Sequence, residues 1–354
     1  MRLPGLILIA AAFAVPMIWF AELAGRHDPT AMLSQYFGAS ALIAMAIAQL
    51  LAMRLSAFEI IFGGLDRIYV LHKWLGVGAL ALILLHDTID AEMDDLGRGT
   101  TLTEIAETLG EISLYGLLVL ATLSILTFVP YHLWKYTHKL MGGFFAAAAC
   151  HYAFIQKPFA VSEPVGLYVL AFCIAGTLAY LYTLMPPGTF RRARAYTISR
   201  LQRTGEALAN TMTPSGRGFR HHPGQFAFVQ FSAPGLADEV HPFTISQAPN
   251  DARALRFTVR DLGDFTGQLD AALSTGATVR VAGPFGHFRL LTRNRAPQVW
   301  IASGVGITPF VAWAQALPDD GAEPVHLFYS ARTRLLRVLC SSSALPSSSR
   351  TGDT

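Results

Sequence analysis

Six stretches of about 20 apolar residues interrupt the first 185 positions of the 354-residue chain, at 3–23, 36–55, 65–85, 112–129, 140–159 and 165–185. Each is long enough, or nearly so, for a helix to cross a bilayer, and the pattern predicts six spans. The first could be a signal peptide headed by Arg2. No small-residue cleavage site precedes the polar turn at 22–29, however, and five more spans follow, so it reads as a retained helix. Pro186-Pro187-Gly188 ends the last span, because proline cannot continue a helix and glycine permits the turn. Beyond it the pattern changes to short β-type runs at 196–201, 225–231, 243–246, 255–260 and 278–282, separated by Gly, Pro and Asp clusters. That spacing predicts a small antiparallel barrel or sandwich. A further change comes at 298, where a buried strand (298–303), a tight turn (Gly304-Val305-Gly306), a helix start with proline in its first turn (Thr308-Pro309) and a second parallel strand (325–329) follow in order.

Composition sharpens this division. The chain is 52% hydrophobic and 14% charged, against roughly 25% charged in soluble domains, so the lipid bilayer is its first partner. A net charge of +3 gives no reason to expect nucleic acid. Arg54, Arg67, Lys73, Lys135, Lys139, Arg191, Arg192 and Arg194 flank one set of loops and mark it as cytoplasmic. The loop at 87–111 carries Asp87, Asp90, Glu92, Asp94, Asp95, Glu104, Glu107 and Glu111 against Arg98 alone, as suits the opposite side. Both termini, and the whole region after the sixth span, are then expected in the cytoplasm. Cys150, Cys173 and Cys340 have no CxxC spacing, which argues against a disulfide framework or a thiolate metal site.

Polar groups inside spans are costly and call for a reason. Four histidines sit in or at the ends of two predicted spans, His72 and His86 on the third and His138 and His151 on the fifth. Fourteen residues separate the first two by roughly 21 Å of helix and return them to within about 40° of one face. One helix can thus offer one ligand near each membrane surface. Because both spans run the same way, His72 and His138 share the inner level and His86 and His151 the outer. Two stacked haems, each with two axial imidazoles, fit this arrangement, and an iron so ligated relays electrons without binding substrate. The 13-residue spacing of His138 and His151 leaves them about 140° apart on an ideal helix, so a bend is expected, with Gly142-Gly143 the candidate. His132, beside Tyr131, Trp134 and Tyr136, reads as part of an interfacial belt.

The paired histidines on two spans resemble those of the ferric reductase and NADPH oxidase superfamily of transmembrane flavocytochromes. That resemblance covers nearly all of the first 335 residues. It implies a membrane all-α six-helix bundle holding two b-type haems, followed by an antiparallel β-barrel FAD domain and an α/β nucleotide-binding lobe. In this light His241-Pro242-Phe243-Thr244-Ile245-Ser246 resembles the flavin-binding segment, with the Thr244 hydroxyl at the reactive edge of the isoalloxazine ring. Arg260 and Thr266, in the stretch from Arg260 through Asp261, Leu262, Gly263, Asp264 and Phe265, resemble the pyrophosphate-binding residues. Gly283-Pro284-Phe285-Gly286 is similar to the turn closing the barrel. Gly304, Gly306, Thr308 and Pro309 match the nicotinamide motif, and Arg332 and Arg334 could pair with a 2′-phosphate, which slightly favours NADPH over NADH.

The resemblance implies three domains: a membrane domain at 1–187, an FAD barrel at 188–292 and a partial nucleotide lobe at 293–354. Members of the superfamily usually continue to a cysteine-glycine motif, whereas here serine follows Cys340 and the chain stops 45 residues after Pro309 with runs at Ser341-Ser342-Ser343 and Ser347-Ser348-Ser349, so the lobe is expected to be truncated. The expected activity is electron transfer from cytoplasmic NAD(P)H through FAD and two haems to an external acceptor. A ferric chelate is favoured over dioxygen because the acidic loop would attract cationic iron species and repel superoxide. A superoxide-producing NADPH oxidase and a non-catalytic haem-binding subunit are the alternatives.

Overall fold

The computed structural model describes residues 2–89, 99–125, 129–185, 193–204, 207–236, 239–290, 297–318 and 324–330. Two compact units divide the chain, Met1–Met185 and Pro186–Thr354. Several residues singled out in the sequence lie outside the described set: Asp90, Glu92, Asp94, Asp95 and Arg98 of the acidic loop, Pro186, Pro187, Gly188, Arg191 and Arg192 of the linker, and Arg332, Arg334, Cys340 and the serine runs.

The first unit contains helices α1 (Leu3–Leu23), α2 (Pro29–Ala52), α3 (Ser56–Phe62), α4 (Leu65–Thr88), α5 (Thr101–Ile125), α6 (Tyr131–Lys139), α7 (Met141–Phe154) and α8 (Pro164–Leu184). Among the described residues five of these, α1, α2, α4, α5 and α8, are long and apolar enough to cross a membrane. The fifth of the six predicted spans is instead a broken pair. Helix α6 ends on Lys139, Leu140 keeps helical angles (φ −68°, ψ −20°) without extending it, and α7 begins at Met141. The bend expected at Gly142-Gly143 therefore falls two residues earlier, and His138 lies on α6, apart from the helix that carries His151.

Two helices begin well before their apolar stretches. Helix α2 starts at Pro29, capped by Asp28, whose carboxylate accepts the Ala31 N–H at 2.8 Å. Helix α5 starts at Thr101 rather than 112; the Thr103 N–H donates to Thr100 Oγ1 at 3.3 Å, and Glu104, Glu107 and Glu111 stay exposed while Thr103, Ala106 and Ser113 are buried. Half of the predicted acidic loop is thus an amphipathic extension of a span.

Helix α2 is the axis of the bundle: 72% of its apolar window is buried, against 17–33% for the other four spans. Its buried positions are small, including Ala39, Ser40, Ala41, Ala44, Ala46 and Ala48, which lets neighbours approach closely where lipid supplies no hydrophobic drive for association. A Cβ on Gly176 of α8 would stand 2.8 Å from the Ala46 Cα of α2. Large apolar side chains such as Ile7, Ile18, Val77, Tyr115, Leu167 and Leu178 point outward, as a lipid-facing surface requires.

The second unit opens with a six-stranded antiparallel sheet in the order β4-β3-β6-β1-β2-β5. Its strands are β1 (Ala193–Thr204), β2 (Ala207–Pro214), β3 (Phe226–Phe231), β4 (Val240–Thr244), β5 (Leu255–Arg260) and β6 (Thr278–Phe285), with α9 (Asp264–Ala272) between the last two. The sheet curls into a half-barrel, and an isolated bridge from Ile245 to Phe257 joins its two edges. Tyr196, Met212, Phe231, Phe257 and Val279 fill the interior. Strand β2 has no counterpart in the sequence reading, because its Ala- and Asn-containing segment lacks the β-branched and aromatic alternation that marks a strand. Strands β7 (Gln298–Ser303) and β8 (Val325–Ser330) then pair in parallel, linked through a 3₁₀ turn at Gly304–Ile307 and helix α10 (Thr308–Ala314). Trp300, Phe310 and Trp313 form their core.

Adjacent glycines on α7 separate packing from propensity. A Cβ on Gly142 would stand 2.0 Å from the Tyr180 ring of α8, whereas one on Gly143 meets only the Tyr180 hydroxyl at 3.8 Å. Gly142→Ala is therefore expected to destabilise the detergent-solubilised protein by about 1–3 kcal/mol, as overpacking does, and Gly143→Ala to be neutral or stabilising, both read by thermal denaturation.

Candidate functional site

The four membrane histidines form two pairs. In the first, the rings of His72 and His138 meet edge-on, with centroids 6.1 Å apart and planes at 60°. The other two are His86, in the last turn of α4, and His151, in the last turn of α7. Each ring is held from behind through Nδ1. His72 Nδ1–H donates to the Ala48 carbonyl at 3.0 Å, His86 Nδ1–H to the Ser34 carbonyl at 2.9 Å and His151 Nδ1–H to the Ala106 carbonyl at 2.8 Å. A carbonyl can only accept, so these three rings carry their proton on Nδ1 and keep the lone pair on Nε2. The Ser124 hydroxyl donates to Leu120 O at 2.8 Å and therefore accepts from His138 Nδ1–H at 3.2 Å. His138 also stacks on Trp134, centroids 4.8 Å apart.

Two helices provide all four supports. Helix α2 backs both histidines of α4, through Ser34 and Ala48; α5 backs those of α6 and α7, through Ala106 and Ser124. The Ser34 hydroxyl adds a bond to the His86 carbonyl at 3.0 Å. Among the described residues no three His, Cys, Asp or Glu side chains gather as a metal cluster, so what the bundle offers is pairs of imidazoles. Each pair presents two unprotonated Nε2 atoms that could hold one metal-centred group. Hydropathy does not point to the supports of the histidines; Ser34 and Ala106 lie outside the apolar stretches that predict the spans.

In the second unit a cleft of about 350 Å³ is lined by Gly224, Phe226, Pro242, Thr244, Phe288 and Pro309. The alternation of a strand divides the predicted flavin segment. Pro242 and Thr244 line the cleft, while Phe243 packs against the barrel interior and Ile245 and Ser246 are buried. Ser246 Oγ donates to Arg256 O at 3.1 Å and pairs with Thr258 Oγ1 at 3.0 Å, so it braces the strand. His241 Nε2 meets Glu239 Oε2 at 2.8 Å, and its ring stacks on Phe265 at 4.0 Å, tying β4 to the start of α9.

Arg260, at the end of β5, reaches the glycine turn, with Nη1 3.7 Å from where a Cβ on Gly304 would stand. Gly304 has φ +52°, and around Gly306 the space is open within 4 Å, leaving the backbone approachable. The Thr266 hydroxyl accepts the Leu262 and Gly263 N–H groups at 2.9 and 3.1 Å and so caps α9. The Thr308 hydroxyl donates to Val305 O at 3.0 Å and closes the turn before α10. Both threonines shape the loops on which the sequence reading placed phosphate contacts.

The comparisons with known proteins agree with this division. Residues 37–149 match the family described as ferric reductase like transmembrane component, and residues 194–297 match an FAD-binding domain. The chain matches the ferric reductase and NADPH oxidase superfamily in both halves. The stachydrine N-demethylase reductase subunit of Rhizobium meliloti (strain 1021) is 38% identical over 130 residues, 36% of this chain and 36% of that protein. The reductase component of the naphthalene 1,2-dioxygenase/salicylate 5-hydroxylase systems of a Ralstonia species is 30% identical over 31% of this chain and 33% of its own length. The chain thus spans about a third of the length of these relatives. Among solved structures, the flavohaem-like FAD/NAD binding domain of nitric oxide dioxygenase from Vibrio cholerae O1 biovar El Tor aligns with 41% of this chain and 65% of its own, at 22% identity and a TM-score of 0.37.

The barrel and the strand–helix–strand unit are clamped beside the cleft, a feature no motif announced. Trp313 Nε1–H donates to Pro223 O at 3.0 Å, its ring stacks on Phe288 at 4.6 Å, and the Ala248 N–H donates to Gln315 Oε1 at 3.1 Å. Gly224 sits within the clamp at φ +91°, where a Cβ would stand 2.0 Å from the Phe288 carbonyl oxygen. Gly224→Ala is expected to open this contact, lowering bound flavin per purified chain by at least about tenfold for a cost above roughly 1.4 kcal/mol, measured by flavin release and absorbance.

A second expectation concerns pH. His221 is buried and donates Nε2–H to Gln247 O at 2.9 Å; burial holds its imidazole below the ordinary value, with the Gln247 bond opposing. The unfolded chain therefore takes up this proton first as pH falls. The contribution of His221 to stability is full above about pH 6.5 and is lost below it. The barrel's melting temperature should fall between about pH 7.5 and 5.5, and His221→Gln should flatten that fall.

Proposed function

We propose that the protein is a membrane electron-transfer oxidoreductase that carries electrons from cytoplasmic NAD(P)H, through FAD, to two b-type haems and an external acceptor, with a ferric chelate favoured. The observation that carries this reading is the pair of imidazole pairs, each ring with Nδ1 committed to the protein and Nε2 left for iron. The spacing fits. Two metal–imidazole bonds of about 2 Å, with about 1 Å from each nitrogen to its ring centre, separate facing ring centroids by roughly 6 Å, and His72 and His138 stand at 6.1 Å.

His72 and His138 would hold one haem and His86 and His151 the other. When bound, haem would supply a one-electron centre, and holding it between two imidazoles would favour relay over substrate binding at iron. The chain's part is to fix tautomer and ring orientation through Ser34, Ala48, Ala106 and Ser124, and to exclude water with the apolar bundle. In the second unit Thr244 would present its hydroxyl to the flavin edge, Arg260 and the start of α9 would hold the pyrophosphate, and Gly304 and Gly306 would let the nucleotide lie close to the backbone. The FAD-domain match at 194–297 and the cleft beside Thr244 support that half.

The test is an anaerobic absorbance spectrum of the purified protein, with haem and flavin counted per chain, after NADPH and then after dithionite. Two haems per chain, reduced by NADPH to the dithionite level, are expected. His86→Ala should keep flavin reduction and lose reduction of an external ferric chelate by more than tenfold. A protein without haem, or full external activity in His86→Ala, would overturn the proposal.

A further inference from the structure

The outer pair is supported by the same four-residue device on two unrelated helices. His86 bonds the carbonyl of Ser34 and His151 that of Ala106, and the residue four positions on is Gly38 in one case and Gly110 in the other. This spacing has a physical meaning. In an α-helix the carbonyl of residue i already accepts the N–H of residue i+4, and the side chain of i+4 leans back toward the same oxygen. That is why a serine or threonine at i+4 can bond to it. With glycine there, one side of the carbonyl is bare, and a second donor from a neighbouring helix can reach it.

Both imidazoles occupy the space so vacated. A Cβ on Gly110 would stand 2.6 Å from His151 Nδ1, across the bond to Ala106, and one on Gly38 would stand 3.1 Å from His86 Cδ2 and 3.2 Å from its Nε2. The inner pair does not use the device. The residue four positions after Ala48 is Ala52, the last of α2, where the His72 ring reaches the carbonyl at the helix end, and His138 bonds a serine hydroxyl instead.

We infer that Gly38 and Gly110 are positioning residues for the outer pair: by baring the carbonyls of Ser34 and Ala106 they fix the Nδ1–H tautomer of His86 and His151 and raise the donor strength of both Nε2 atoms. The inference rests on the functional reading above. A hydrogen bond on Nδ1 makes the ligand more basic, which favours the ferric state and holds the potential of the outer centre down.

The experiment compares Gly38→Ala and Gly110→Ala with the parent as full-length chains in nanodiscs, by haem count, redox titration and low-temperature electron paramagnetic resonance. Gly38→Ala, the milder intrusion, is expected to keep two haems and to shift one midpoint potential upward, with an altered low-spin signal from that centre and the other centre unmoved. Gly110→Ala is expected to shift the same centre further or to lose its haem. A defect of packing alone would lower yield or disturb both centres together, and that result would overturn the inference. Two haems with unchanged potentials and signals in both variants would also overturn it while leaving the functional reading intact. A parent chain without haem would overturn both.

Discussion

An imidazole inside an apolar bundle has two nitrogens to satisfy and no water to do it. The bundle answers that constraint by giving each histidine-bearing helix a partner whose backbone or hydroxyl takes Nδ1–H. Helix α2 serves α4, and α5 serves α6 and α7. The small residues along α2 follow from this, because a carbonyl is within reach of a neighbouring side chain only when the helices lie close. The broken fifth span follows as well. His138 must reach back to Ser124 near the end of α5 while His151 reaches Ala106 near its start, and no single straight helix turns both rings toward the same neighbour.

Hydropathy made the membrane architecture legible, and its errors have one cause. An apolar stretch reports where side chains face lipid, whereas a helix extends as far as its hydrogen bonds and caps allow. The turns of α2 before position 36, and of α5 before 112, carry one polar face, and hydropathy trims them or reads them as loop. Those turns hold Ser34, Ala106 and Gly110. The histidines could be found by counting because a polar residue in a span stands out. Their supports could not, since a backbone carbonyl has no letter in the sequence and a glycine in a polar segment reads as part of a turn.

In the second unit the motif letters alone do not resolve the faces of the cleft. Strand alternation sends Pro242 and Thr244 to the cleft and Phe243 and Ile245 to the barrel interior, a division that six consecutive letters hide. Thr266 and Thr308 stabilise the loops around the site through hydroxyl bonds to neighbouring backbone groups. The Trp313 clamp was not legible at all, because its partner is the carbonyl of Pro223 and its clearance depends on Gly224, 90 and 89 residues away in the chain.

The joint at Leu140 gives the two histidine-bearing segments unequal freedom to evolve. On α4 one continuous helix couples the two ligands, and adding a single residue between them would rotate one by about 100° relative to the other. The 14-residue interval is thereby locked to the helical repeat. Between His138 and His151 the chain passes from one helix to another, so length gained or lost at the joint can be absorbed by changing the angle between α6 and α7. Homologous chains should then keep the first interval rigidly and let the second drift, and the interval that drifts marks where the helix is allowed to break.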